Sequence, residues 1–329
     1  MILILSLNTS LDRILVLDDF TLGAVNRVHQ ERWVSGGKGL NVLKMMNTLG
    51  IPAHAITAVG NLTGRIIHEL LNHEGVGSLC SVVTIKDSSR ICDVFVTPEN
   101  GASTVVNSVG PQITRDELAV LADRIHDQSP DAEYLVLTGS LPPGTPPDFY
   151  ARLVEQAQGE KVRTVVDATG TSLTLAVAKR PWLVKVNLAE FMEIALDLTT
   201  AYGVPLADNP QTWYGPIAPL CAALEKQGTN VVVTNGQEGA AAWTHDGYWT
   251  VASLPIRVRN AVGSGDAFLA GFVGEFAESQ DYREALCCGA AAASSNAMNI
   301  FPEIEKREAI RDLARSVAVN VLVEVEKFL

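Results

Sequence analysis

Short unbroken apolar runs punctuate this chain at intervals: Ile2–Leu7, Ile56–Val59, Tyr134–Leu137, Thr164–Val166, Leu183–Val186 and Asn230–Thr234. Runs of that length with no polar alternation predict strands covered on both faces. Between them, apolar residues recur at helical spacing. Helices are expected near Asn41–Leu49, Leu62–Asn72, Thr114–His126, Phe149–Gln158, Leu173–Ala178 and Ile217–Lys226, and another opens at Glu190. Thr114 followed by Glu117 has the spacing of a capping box. Ala240–Trp243 and Tyr248–Ala252 read as a hairpin across Asp246-Gly247. A helix follows Asp266, an Ala-rich one spans Tyr282–Met298, and a last one is expected from Glu305 to about Leu322. Residues 198–216, with Pro205, Pro210 and Pro216, have no period and read as a surface excursion. Strands alternating with helices predict an α/β protein with a mostly parallel sheet between two helical layers.

A second group of strands does not fit that alternation. No crossover helix separates Ile14–Leu17 from Arg27–Val34, so they are expected to pair antiparallel outside the main sheet. Val82–Ile85, Arg90–Thr97 and Ala102–Val106 are expected to join them. The chain then reads as one unit, residues 1–329, with a small β-sheet lid contributed by about 12–35 and 88–108. Strand C-termini are where an open α/β sheet binds ligands. Asn8, Gly139, Asp167, Asn187 and Asn235 fall on that edge.

The formal charge of −12 argues against a nucleic-acid partner. The five cysteines form no CxxC pair and read as small buried residues of a reducing compartment. The apolar start lacks the basic residues and length of a signal peptide, and no run is long enough to cross a bilayer. A cytoplasmic protein without a membrane partner is expected.

The densest chemistry lies in Val258–Val273, where Gly263-Ser264-Gly265-Asp266 opens a helix. Small residues there leave first-turn N–H groups uncovered for an anion, and glycines allow close approach. Asp266 can be an ordinary cap residue. It can also be a base that takes a hydroxyl proton while the N–H groups hold arriving negative charge. Gly36-Gly37-Lys38-Gly39-Leu40-Asn41 is a second glycine-rich helix start. Asp12 and Asn41 could bind vicinal hydroxyls, or serve as turn and cap residues. No Walker A sequence, H-E-x-x-H or G-x-S-x-G is present, and no G-x-G-x-x-G follows the first strand.

Both glycine-rich segments resemble the two signatures of the ribokinase-like (PfkB) carbohydrate kinases, and the resemblance covers nearly the whole chain. It implies a three-layer fold with a small lid. It also implies Asp266 as catalytic base and the Gly263, Ser264 and Gly265 backbone as anion hole. Asp12, Gly36, Gly37 and Asn41 match the family's sugar contacts. Leu7-Asn8-x-x-x-Asp12, Asn26-Arg27-Val28, Gly36-Gly37-Lys38-Gly39, Arg90 and the Leu137–Pro142 run containing Ser140 are similar to the 1-phosphofructokinase and tagatose-6-phosphate kinase group. There Lys38, Arg27 and Arg90 would pair with a phosphate already on the sugar. Lys185-Val186-Asn187-Leu188-Ala189-Glu190 resembles the family's K-P-N-x-x-E, which implies Mg²⁺ held through water by Asn187 and Glu190. Thr234, Gly236 and Gly239 resemble the ATP-binding turn, with adenine beside the helix carrying Ala292, Ser295 and Asn296.

The implied activity is ATP-dependent phosphorylation of fructose 1-phosphate, fructose 6-phosphate or tagatose 6-phosphate by a homodimer joined through the lid. A kinase of an unphosphorylated sugar or nucleoside, and a non-catalytic sugar-phosphate sensor, are the alternatives. The chain departs from the pattern at Ala261, where Thr or Ser is usual, at Cys92 for Asn, and at Val186 for Pro.

Overall fold

The computed structural model describes residues 1–208 and 211–322. In chain order the first part comprises β1 (Ile2–Ser6), β2 (Ser10–Val16), β3 (Gln30–Gly36), α1 (Lys38–Thr48), β4 (Ala53–Gly60), α2 (Asn61–His73), β5 (Cys80–Ile85), β6 (Arg90–Thr97) and β7 (Ala102–Asn107). Then follow α3 (Arg115–Gln128), β8 (Tyr134–Thr138), α4 (Phe149–Gly159), β9 (Arg163–Asp167), α5 (Gly170–Val177), β10 (Leu183–Asn187) and α6 (Leu188–Tyr202). The last part holds α7 (Ala218–Lys226), β11 (Asn230–Thr234), β12 (Ala240–Thr244), β13 (Gly247–Val251), α8 (Ser264–Ser279), α9 (Tyr282–Ala297), α10 (Arg307–Ala314) and β14 (Val319–Val321).

The larger sheet runs β14-β13-β12-β11-β10-β9-β8-β1-β4-β5. It is parallel from β5 through β11 and antiparallel beyond. Period-two alternation divides each central strand between two cores. In β1, Ile2 and Ile4 join one core with α1, α8 and α9, while Leu3 and Leu5 join the other with α4, α6 and α7. Both faces are therefore dry, which is why the strands read as unbroken apolar runs. This is the expected three-layer α/β fold.

The smaller sheet runs β3-β2-β6-β7, with β2 and β6 parallel and both outer pairs antiparallel. Cross-strand neighbours share a face, so its inner face carries three rows. They are Asp12–Cys92–Asn107, Ile14–Val94–Val105 and Val16–Val96–Ser103. Polar chemistry sits at one end and an apolar patch in the middle.

Four expectations need correction. Cys80–Ile85 belongs to the larger sheet, parallel to β4, and not to the lid. The intervening α2 makes β4-α2-β5 a crossover unit, which returns the chain to the same sheet. The final helix stops at Ala314, and Val319–Val321 adds an edge strand to β13. Alternating valines there cover the otherwise open hairpin edge. The strand expected from Arg27 starts at Gln30. Before it, the Asn26 amide folds a loop on itself, accepting from the Thr21 N–H at 2.8 Å and donating to the Thr21 carbonyl at 2.9 Å. Within 198–216, α6 continues to Tyr202 and a 3-10 turn covers Gly215–Ile217; Pro210 lies outside the described residues. The expected capping box of Thr114 with Glu117 forms, and Asn187 with Glu190 makes a second. Among the described residues no helix is long and apolar enough to cross a membrane.

Candidate active site

The C-terminal ends of β10 and β11, the starts of α1 and α8, and the inner face of the smaller sheet enclose one cavity of about 800 Å³. Asp12, Lys38, Arg90, Asn187, Glu190 and Asp266 all line it.

Asp266 sits in the first turn of α8 and is buried. The preceding Gly263 adopts the left-handed conformation (φ 83°), which turns the chain sharply into the helix. The Asn41 side-chain amide donates to Asp266 Oδ2 at 2.8 Å, so Asn41 turns its own carbonyl oxygen elsewhere. Burial raises the Asp266 pKa to about 6, with Lys38 pulling it down and Asp167 pushing it up. At neutral pH it is an ionised carboxylate of unusually high basicity. The Ser264 N–H closes the turn onto the Ala261 carbonyl (3.1 Å), while the N–H groups of Gly263 and Gly265 meet no protein acceptor among the described residues. Those two are available to an anion.

Asn296 holds this turn from below. Its amide nitrogen donates to the Val262 carbonyl at 2.9 Å and to Ser264 Oγ at 3.0 Å. It is buried and does not line the cavity. The face of α9 that does so is Ala290, Ala293, Ser294 and Ala297, at i, i+3, i+4 and i+7. Ser295 faces the other way and accepts the Glu305 N–H.

Asp167 is the residue whose importance the sequence did not reveal. Its position at a strand end was legible, its partners were not. Fully buried, it accepts from Lys38 Nζ at 2.7 Å and from Lys185 Nζ at 3.3 Å. Burial opposes its charge, but Lys185 and Lys38 outweigh that and hold its carboxyl below the usual range. Lys38 also donates to Glu190 Oε1 at 2.9 Å. Burial works against the Lys38 ammonium, yet Asp167, Glu190 and Asp266 raise its pKa. Two of its three donors are spent on carboxylates, leaving one for a ligand. Lys185 lies under the Gly263–Gly265 turn, where a Cβ on Gly265 would come within 3.0 Å of its Nζ.

At the other end, Ser10 Oγ donates to Asp12 Oδ1 at 2.5 Å. Burial pushes the Asp12 pKa up, with Ser10, Lys44 and Arg90 pulling it back. Gly36 makes room for this carboxylate, since a Cβ there would stand 2.1 Å from Asp12 Cγ. Gly37 is the N-cap of α1, with φ 103°. Arg90 Nε donates to the Asn8 carbonyl at 3.2 Å, and its two terminal nitrogens have no protein acceptor among the described residues. Ser140 is exposed outside the cavity lining and accepts from the Asn8 amide at 2.9 Å. Arg27 lies on the exposed loop before β3, outside the cavity.

Thr234, Gly236 and Gly239 line the remaining end. Gly239 is required both by its φ of 87° and by packing, because a Cβ would lie 2.0 Å from the Val251 carbonyl oxygen. The described residues hold no group of three or more His, Cys, Asp or Glu side chains fit to cage a metal. Asn187 Oδ1 accepts the Glu190 N–H at 2.8 Å, and Glu190 Oε2 accepts the Asn187 N–H at 2.9 Å. The remaining lone pairs on these oxygens fit contact with a hydrated Mg²⁺ rather than direct encapsulation.

The profile of the pfkB family carbohydrate kinases matches residues 4–298. The 1-phosphofructokinase of Bacillus subtilis (strain 168) is 28% identical over 323 residues, 98% of this chain and 100% of the relative. Among solved structures, phosphofructokinase-2 from Escherichia coli in complex with substrates and products superposes with a TM-score of 0.82. It is 25% identical, over 96% of this chain and 98% of that one. A possible 1-phosphofructokinase from Thermotoga maritima shares the fold with a TM-score of 0.82 at 22% identity, over 98% and 99% of the two chains. With both glycine-rich turns converging on one cavity and a family match across most of its length, this chain is a member of the PfkB family of carbohydrate kinases, ATP-dependent phosphotransferases.

Proposed function

We propose that this kinase phosphorylates a hexose phosphate, with fructose 1-phosphate, fructose 6-phosphate and tagatose 6-phosphate as the candidate acceptors. The observation that carries this reading is Arg90, whose free guanidinium nitrogens share the cavity with Asp12. A cation with open donors beside hydroxyl-binding groups suits an acceptor that already bears a phosphate. The full-length similarity to a 1-phosphofructokinase supports it.

Asp12 and the free carbonyl oxygen of Asn41 orient the acceptor, and Asp266 takes the proton of the attacking hydroxyl. The Gly263 and Gly265 N–H groups receive the charge of the transferred phosphoryl. Lys38 lines the same cavity, and its third donor serves the phosphate already on the acceptor. ATP with Mg²⁺ supplies the phosphoryl group and screens its charge. Asn187 and Glu190 would hold that ion through its coordinated waters. The smaller sheet closes the acceptor end against water.

The test is ATP consumption against phosphorylated ketohexoses, neutral sugars and nucleosides. Turnover on one phosphorylated ketohexose is expected, and Arg90→Ala should raise its KM by about 10- to 100-fold, the value of a charge-assisted contact. The engagement of Lys38 by two carboxylates and the position of Arg27 outside the cavity favour a neutral acceptor as the second reading. Activity on neutral acceptors alone would establish that one.

The outer face of the smaller sheet exposes Trp33 and Val106, and the loop carrying Arg27 exposes Leu22 (93%) and Val25 (82%). We assign this patch to a homodimer contact through the lid. Sedimentation at micromolar concentration should give the mass of two chains; a monomer overturns the assignment.

A further inference from the structure

The apolar middle of the lid's inner face packs on the segment that carries the catalytic turn. Ile14, Val16, Val94 and Val96 form one cluster with Phe301, and Val262 and Ile300 pack against it. Val262 directly precedes Gly263. Arg32 of β3 adds its guanidinium over the Phe301 ring, 3.6 Å from the centroid. Lid and anion-holding turn thus share a core.

One polar link runs through that contact. Ser103 stands in register with Val96, so its hydroxyl points inward from an apolar row. It donates to Asn260 Oδ1 at 2.9 Å. The same oxygen accepts the Val262 N–H at 3.0 Å, and the Asn260 amide nitrogen donates to the Ile300 carbonyl at 2.7 Å. With the lid seated Asn260 is 1% exposed, so in that arrangement its oxygen depends on these two donors. A carbonyl oxygen directs its two lone pairs at a set angle, so a shift of one donor turns the amide and disturbs the other. Along the same seam the lid turn approaches the main chain closely: a Cβ on Gly101 would lie 2.7 Å from the Val258 carbonyl oxygen.

We infer that Asn260 is a positioning residue that couples the seating of the lid to the shape of the anion-holding turn, through Ser103 on one side and Val262 on the other. With the lid seated, Oδ1 has both donors and the Val262–Gly265 backbone is held for phosphoryl transfer. With the lid away, the oxygen loses one donor, Val262 loses its apolar cover, and the turn loosens. Transfer then depends on the acceptor that closes the lid, which suppresses loss of the phosphoryl group to water. The inference rests on the reading of this turn as the transfer site.

Ser103→Ala tests it, because it removes only the lid's end of the link and lies outside the cavity lining. Amide hydrogen exchange of residues 260–266 in the ligand-free protein should accelerate about fivefold, the value of one buried hydrogen bond. With the best acceptor, kcat should fall about tenfold while KM for ATP stays within about twofold. Ser103→Thr, which keeps the hydroxyl, should restore both. Exchange that accelerates only within residues 97–107 would overturn the coupling. Faster exchange at 260–266 with unchanged kcat would overturn its role in positioning. Exchange is read without any acceptor, so a wild-type protein silent on every acceptor would retire the kinase reading while the exchange result still decides the link.

Discussion

Asp266→Asn should lower kcat by about 10²- to 10⁴-fold, the contribution of a general base, with KM for ATP nearly unchanged. The substitution keeps the size of the side chain and its place beside Asn41, so binding geometry survives while the proton acceptor is lost. A pH profile adds an independent check. Burial holds the Asp266 pKa at about 6, and the base works only when deprotonated. Activity should therefore rise about tenfold per pH unit below that value and level off above it. Asp266→Asn should abolish this step. A variant within about tenfold of wild type would remove Asp266 from the role of base.

The second large effect concerns stability. Asp167→Ala leaves Lys185 and one donor of Lys38 buried beside an empty space, with Glu190 as the only remaining carboxylate on Lys38. Breaking a buried pair from one side costs about 3–5 kcal/mol, because the surviving charge keeps its desolvation penalty. The measurement is the urea midpoint at pH 7. Since the Asp167 pKa is lowered in the folded protein, its contribution is complete above the ordinary Asp value of about 4 and is lost as pH falls through the lower folded value. The gap between wild type and variant should accordingly close on the acid side. A deficit below about 1 kcal/mol at pH 7 would mean that water enters and solvates the lysines.

Much of this protein was legible in the order of its residues. Alternating apolar runs and helical periods predicted the α/β layers, because a strand dry on both faces and a helix dry on one leave different local rhythms. The two glycine-rich turns and the capping box at Thr114 were visible because their chemistry closes within a few residues.

The tertiary structure decided what depends on distant partners. Lys38 meets Asp167 across 129 positions, Asn41 meets Asp266 across 225, and Ser103 meets Asn260 across 157. No local period encodes such pairs; they exist because polar groups carried into one dry interior must satisfy one another. The same reason explains the assignments that sequence alone misjudged. Cys80–Ile85 and Val319–Val321 are short β-prone segments that would pair with any open edge. Which edge each covers is set by the packing of α2 and of the β12–β13 hairpin, not by the segments themselves.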